Sequence, residues 1–192
     1  METIKMTTKD KYSESQKDKS INSDYYEKLV EHLFIADILT VAWLNYKVQI
    51  EIYRAEIDIF GYDLVLECNG IVRHIQLKSS DENSKTAKQK INIKLSDKPS
   101  GCVIWIKRKI DEKKGEFLLN YFFFGDSKGD KLPDLSEFKT GRHTKANSRG
   151  KKNLRQNIRE IPKRKFNDVK STEKLLEILF GLKLWKIRWK TV

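Results

Sequence analysis

The succession of periodicities along the chain predicts an α/β protein, a mixed β-sheet flanked by helices with a basic C-terminal extension. Three observations carry that expectation. A long apolar helical stretch comes first, strand-like segments follow it with one helical stretch among them, and the excess of cations gathers at the end. The predicted order is helix, three strands, helix, two strands, then a basic segment and a final helix. Elements with one apolar face bury it best as helices laid on a sheet.

The first 20 residues, METIKMTTKDKYSESQKDKS, hold almost no apolar side chains and read as a disordered polar tail. Residues 24–44, DYYEKLVEHLFIADILTVAWL, repeat apolar positions at spacings of three and four and read as a deeply packed helix. Asp24 followed by Glu27 fits a capping box at its start. Residues 48–59 alternate apolar and polar, as a strand does, and residues 62–67 form a second strand. Asn69-Gly70 marks a tight hairpin, which sends 71–78 back as a third strand. Residues 81–96 place Ala87, Ile91 and Leu95 on one helical stripe. After Pro99-Ser100-Gly101 the run CVIWI, 102–106, reads as a strand buried on both faces, and EFLLNYFFF, 116–124, as another. Residues 125–170 look loop-rich and basic, and 171–180 form a helix stopped by Gly181. The late LKLWKIRWK pattern reads as an edge strand, with base stacking or insertion at a membrane surface as its alternatives. The domain layout is then a tail at 1–20, a core at 21–138, and a basic extension with its terminal helix at 139–192.

The chain has 192 residues and a formal net charge of +12. Residues 139–192 hold 17 Lys and Arg against 4 Asp and Glu, so the whole excess lies there. Such asymmetry points to a polyanion, nucleic acid above all, because neutralising phosphates releases counterions. No uninterrupted run of 18 apolar residues occurs, which argues against a spanning helix. The N-terminus lacks an apolar signal core, and Cys68 and Cys102 are too few for a disulfide scaffold or a four-thiolate zinc site. A reduced, cytoplasmic protein is the expectation.

The hairpin gathers polar groups. With Asn69-Gly70 as a two-residue loop, Cys68 faces Ile71, and counting outward places Asp63 opposite Gln76. Directly opposed residues have Cβ atoms about 5 Å apart on one sheet face. Lys78 lies two residues past Gln76, on the same face. Leu64, Leu66, Ile75 and Leu77 take the other face and pack on the core. A carboxylate beside an amide oxygen suits a hard divalent ion such as Mg²⁺, which fills its remaining positions with water and phosphate. A neighbouring lysine activates a water or braces developing phosphate charge. An exposed hairpin end with three ordinary polar residues is the bland alternative.

Glu27 and Glu31 on the first helix, then GYDLVL at 61–66 and IQLKSS at 75–80, resemble the PD-(D/E)xK nuclease superfamily. The helix, three strands, helix, strand order is similar to its restriction-endonuclease-like fold over residues 24–125. The resemblance implies a Mg²⁺-dependent endonuclease, with Mn²⁺ as a substitute, acting on double-stranded DNA and compatible with a homodimer. Residue by residue, it implies that Asp63 and Gln76 hold the metal, that Lys78 activates water or stabilises the transition state, and that a helix glutamate assists. Gln76 departs from the pattern, which has an acid there, and Gly61-Tyr62 stand where the motif name has its proline. A neutral amide gives the ion one negative charge less, so a nuclease-like domain that binds without cutting is the alternative.

Of the two helix glutamates, Glu27 has the capping role. Glu31 lies in the apolar arc, where a carboxylate needs a partner, and is the favoured site residue, with a salt bridge to Lys28 as its plain alternative. His74 shares the Gln76 face and faces Val65, a packing position before a general base. Glu56, Asp58 and Glu67 read as surface charges. His32 and His143 are too isolated for zinc, and Cys68 reads as too exposed for a nucleophile. Ser79, Lys85, Lys88, Arg142, Lys145, Arg149, Lys151 and Lys152 are the candidate nucleic-acid contacts, able to position a phosphate backbone without reading sequence.

Overall fold

A computed structural model describes residues 23–57, 59–126, 130–143, 150 and 152–184. The chain divides into two compact units, Met1–Ala36 and Asp37–Val192. The expected tail at 1–20 and most of the LKLWKIRWK segment lie outside the described residues.

Helix α1 spans Ser23–Val41. Asp24 therefore sits inside its first turn and not at the cap. Val30, Phe34, Ile38 and Ala42, four apart, are buried, which is the stripe that the apolar spacing predicts. The α-helix closes in a π-type turn, Ala42–Tyr46, ended by Lys47 in the left-handed region with its N–H on the Ala42 carbonyl. In the second unit, Asp37 accepts hydrogen bonds from Tyr121 and Thr172, both at 2.6 Å. Burial and the Asp37 carboxylate both push the Tyr121 phenol well above its usual pKa. By length and composition alone Ser23–Tyr46 is the one described stretch able to cross a bilayer, which revises the expectation that there is none. The buried Ile38 and Ala42 and the Asp37 bonds make its second half a core element of the second unit.

The second unit is built on a six-stranded mixed sheet, ordered β1(Glu51–Arg54), β2(Leu64–Cys68), β3(Ile71–Asp81), β5(Gly101–Asp111), β6(Glu116–Phe124), β9(Asn167–Val169). Strands β3 and β5 run parallel, and all other neighbours are antiparallel. A three-stranded sheet, β4(Lys88–Asn92), β8(Leu154–Pro162), β7(Thr140–Arg142), lies on one face of it. Ile91 and Ile161 of the small sheet pack there with Val103, Trp105, Phe124 and Phe166. The other face carries Leu64, Leu66, Ile75, Ile104 and Phe123, all buried, and receives helix α2(Thr172–Phe180) with Leu175, Leu176 and Leu179. Ser171 caps α2 through its side chain and Gly181 ends it at φ 65°, as the sequence implies.

The hairpin forms as read. Asn69 and Gly70 take φ of 51° and 78°, and Cys68 pairs with Ile71. Both loop residues need φ above zero to match the strand twist, which is why Asn-Gly serves here. A Cβ on Gly70 meets nothing within 4 Å, so only backbone strain opposes it. Gly70→Ala should therefore cost about 1–2 kcal/mol, read as a lower urea midpoint at constant slope.

Three expectations are corrected. The strand expected over 48–59 shrinks to β1 because its sole partner, β2, begins at Leu64 opposite Arg54; Ile57 and Ile59 are exposed. The helix expected at 81–96 is strand β4 followed by a 3-10 turn, Ile93–Asp97. Gln89 and Ile91 point inward there while Lys88 is exposed, a period of two that pairs with β8. The loop expected at 125–170 contains β7, β8 and β9, so the described part of 139–192 is woven into the second unit. The mixed sheet with helices stands. The helix that the restriction-endonuclease-like order requires between the third strand and the next is replaced, among the described residues, by β4 and its 3-10 turn.

Candidate functional site

The site is built where β2 begins. Gly61, at φ 80°, lies so close to β4 that a Cβ would overlap the Asn92 side chain. That approach aims the chain into the sheet. Asp63 then extends the ladder by one rung, its N–H donating to the Ile75 carbonyl at 2.8 Å. Its carboxylate reaches the next rung, where Oδ2 accepts the Leu77 N–H at 2.6 Å. Asp63 is thus bonded to both residues that flank Gln76. The backbone brings it abreast of Gln76, as the hairpin count implies.

Gln76 faces Val103 across the parallel pairing, and Lys78 faces Trp105. The pleat puts Gln76, Lys78 and Ser80 on one face. That face is fixed by Trp105, whose indole N–H donates to Ser80 Oγ at 2.9 Å. Gln76 is only 5% exposed, and its Oε1 has no hydrogen-bond partner. Lys78 and Asp63 are half-buried. Lys98, which sequence reasoning did not single out, stands over the Phe60 ring at 3.7 Å and near the ring of Tyr62, the residue before Asp63, at 5.5 Å.

His74 packs edge-on to Tyr62, ring centroids 5.1 Å apart, with Nδ1 3.0 Å from the Pro99 carbonyl. A carbonyl only accepts, so Nδ1 carries the proton. Burial, and to a lesser degree Lys98, lower the pKa of the ring, while the Pro99 bond opposes the shift. These contacts give His74 the packing role. Cys68 is buried, not exposed, and burial raises its thiol pKa. That corrects the expectation of exposure and keeps it a poor nucleophile.

Glu31 lies in the first unit, where Lys28 Nζ donates to it at 2.9 Å, the plain alternative for that carboxylate. Ser79 points to the face opposite Lys78, its Oγ 3.4 Å from Arg108 Nη1. The lysine expected to follow the site on a helix, Lys88, starts β4 and pairs with Glu160. Lys85 and Lys152 are exposed. Arg142, on β7, sits at the Leu154 end of β8, whereas Lys88 sits at its Pro162 end. They are not one cluster. Lys145, Arg149, Lys151 and Asp58 lie outside the described residues.

Asp63 and Gln76 together offer a carboxylate and a buried amide oxygen. Among the described residues no group of three or more His, Cys, Asp and Glu side chains could hold a metal ion. Two oxygen donors without histidine or cysteine lack the ligands of a zinc site; an ion held here would draw the rest of its shell from water and phosphate, as Mg²⁺ does. Comparison with family models, with curated proteins and with solved structures finds no match.

Proposed function

We propose that the second unit is a metal-dependent endonuclease of the PD-(D/E)xK kind, hydrolysing phosphodiester bonds of double-stranded DNA with Mg²⁺, or Mn²⁺ in its place. The observation that carries this is the orphaned Oε1 of Gln76, buried on the strand beside Asp63. A buried acceptor without a partner costs about 1–3 kcal/mol, a cost relieved by an electropositive partner such as an ion or a water held by one. When bound, the ion supplies Lewis-acid polarisation of the phosphate and a more acidic water. Asp63 holds its carboxylate in place through the Leu77 N–H, so a second job for that group needs no rearrangement of the strand. Lys78 presents a cation on the Gln76 face, where it orients the attacking water or braces the negative charge that grows on the phosphate. Two free, buried cysteines suit a reducing compartment such as the cytoplasm.

The test is plasmid nicking with Mg²⁺ or Mn²⁺, which chelation by EDTA should abolish. Salt-sensitive DNA binding without nicking selects the second reading, a nuclease-like fold that binds and does not cut. The neutral Gln76 favours that alternative. In either case Gln76→Glu adds a negative charge beside Asp63, and Mn²⁺ affinity measured by calorimetry should rise about tenfold, or 1.4 kcal/mol. An unchanged affinity counts against Gln76 as a ligand.

A further inference from the structure

We infer that the cavity beside Phe124 is a binding site for a guanine base. It lies apart from the metal site and does not depend on it. In register Gln76 faces Val103, and Val103 faces Phe124, so Gln76 and Phe124 are two strands apart, about 10 Å along the backbone spacing. The cavity lies at the end of β6 and holds about 410 Å³. Pockets of about 300–1,000 Å³ take small ligands. Phe124 and Phe138 give it an aromatic wall, their ring centroids 6.1 Å apart and their planes at 82°. Phe166 packs on Phe124 as well, at 5.5 Å. Through these rings two separate segments, 134–138 and 165–167, meet at Phe124. Asp134 and Glu137 line the cavity from the first, Lys165 and Asn167 from the second. All four are exposed, so the cavity is open to solvent.

Asp134 is already engaged. It accepts the Ser136 N–H at 2.8 Å and the Ser136 hydroxyl at 2.6 Å, bonds that hold its carboxyl below the usual carboxylate range. Among the described residues the side chains of Glu137, Lys165 and Asn167 form no ion pair and no hydrogen bond. Opposite charges thus line one cavity without pairing. A simple anion is repelled by Asp134 and Glu137, and a simple cation by Lys165. A carboxylate only accepts, an ammonium only donates, and the Asn167 amide does both. Their complement is a flat body with adjacent donors on one edge and acceptors on the next. Guanine has that pattern: N1–H and the N2 amine suit a carboxylate, and O6 and N7 suit an ammonium or an amide. Adenine, cytosine and thymine each set a lone pair beside the donor, which a carboxylate repels. Phe138 is half-buried and leaves part of its ring to stack on a base.

Isothermal titration calorimetry in EDTA, with guanosine and adenosine monophosphates as ligands, tests this. The two share sugar and phosphate, so a difference between them reports the base. The guanosine nucleotide should bind about tenfold tighter. Glu137→Gln should erase that preference and change the adenosine affinity less than about twofold, while Glu112→Gln, an exposed acid in the β5–β6 turn, should leave both as they are. Anisotropy with two labelled single strands, all thymidine or carrying one central guanosine, separates the sources of the base. A guanosine preference that Glu137→Gln removes identifies an unpaired base in a strand; preference for the nucleotide without one for the strand identifies a free nucleotide. Either keeps the site. It is overturned when the guanosine nucleotide binds no tighter than the adenosine one and the guanosine strand no tighter than the thymidine one, or when Glu137→Gln leaves such a preference intact. With the metal chelated, a protein that never nicks can still show this binding, and a failure here leaves the nuclease reading untouched.

Discussion

Asp63→Asn and Lys78→Ala should each lower metal-dependent nicking by about a hundredfold or more, with melting temperatures that stay within a few degrees of wild type. The magnitude is what one preorganised electrostatic group contributes to a transition state. The Asp63 substitution separates structure from chemistry. Its amide oxygen still accepts the Leu77 N–H, so the ladder is kept, while the negative charge is gone. Lys78 is half-buried and no described carboxylate pairs with it, so its removal leaves no stranded acid behind. Nicking that survives Lys78→Ala would remove the lysine from the mechanism, and nicking that survives Asp63→Asn would remove the metal site.

The largest effect on stability should come from Trp105→Ala. The indole is fully buried between the two sheets, 5.8 Å from the Phe122 centroid and 5.5 Å from that of Phe166, and its N–H satisfies Ser80. Deleting it removes a large apolar surface and leaves a cavity, about 3–5 kcal/mol. For a chain of this size that lowers the melting temperature by roughly 10 °C or more. Calorimetry checks it. A shift below about 3 °C would mean that the small sheet does not depend on this ring. Trp105→Phe should fall between the two, because it keeps the ring contacts and loses the Ser80 bond.

What the sequence made legible follows from local physics. The hairpin could be read because Asn-Gly tolerates two consecutive left-handed residues, and register then follows by counting from Cys68 and Ile71. Helix α2 could be read because Ser171 and Gly181 are strong stops on either side of a leucine stripe. The segment at 81–96 misled because Ala87, Ile91 and Leu95 fall four apart by coincidence. The deciding period of two runs through Gln89, a polar residue buried against the main sheet. Strand β8, RQNIREI, was hidden for a related reason. It is the middle of three strands, and its polar side chains face outward or pair with Lys88, so apolar alternation is faint.

The candidate site was legible only where it depends on one turn. Asp63, Gln76 and Lys78 follow from the hairpin and the pleat. Strand β5 read as ending at Ile106 in the run CVIWI, whereas it continues to Asp111. The alternation Val103, Trp105, Lys107 was the available signal. Arg73 is a similar case. It is fully buried opposite Leu66, with Nη2 donating to the Asp126 carbonyl at 2.8 Å and the Phe123 ring 5.7 Å away. Long-range packing decides that burial, and residue type argues against it.

Crystals soaked in Mn²⁺ and measured for anomalous scattering address the central claim most directly. The account predicts a difference peak within coordination distance of both the Asp63 carboxylate and Gln76 Oε1, absent from Asp63→Asn. A soak at saturating Mn²⁺ that leaves that position without a peak, or places the ion elsewhere, contradicts it.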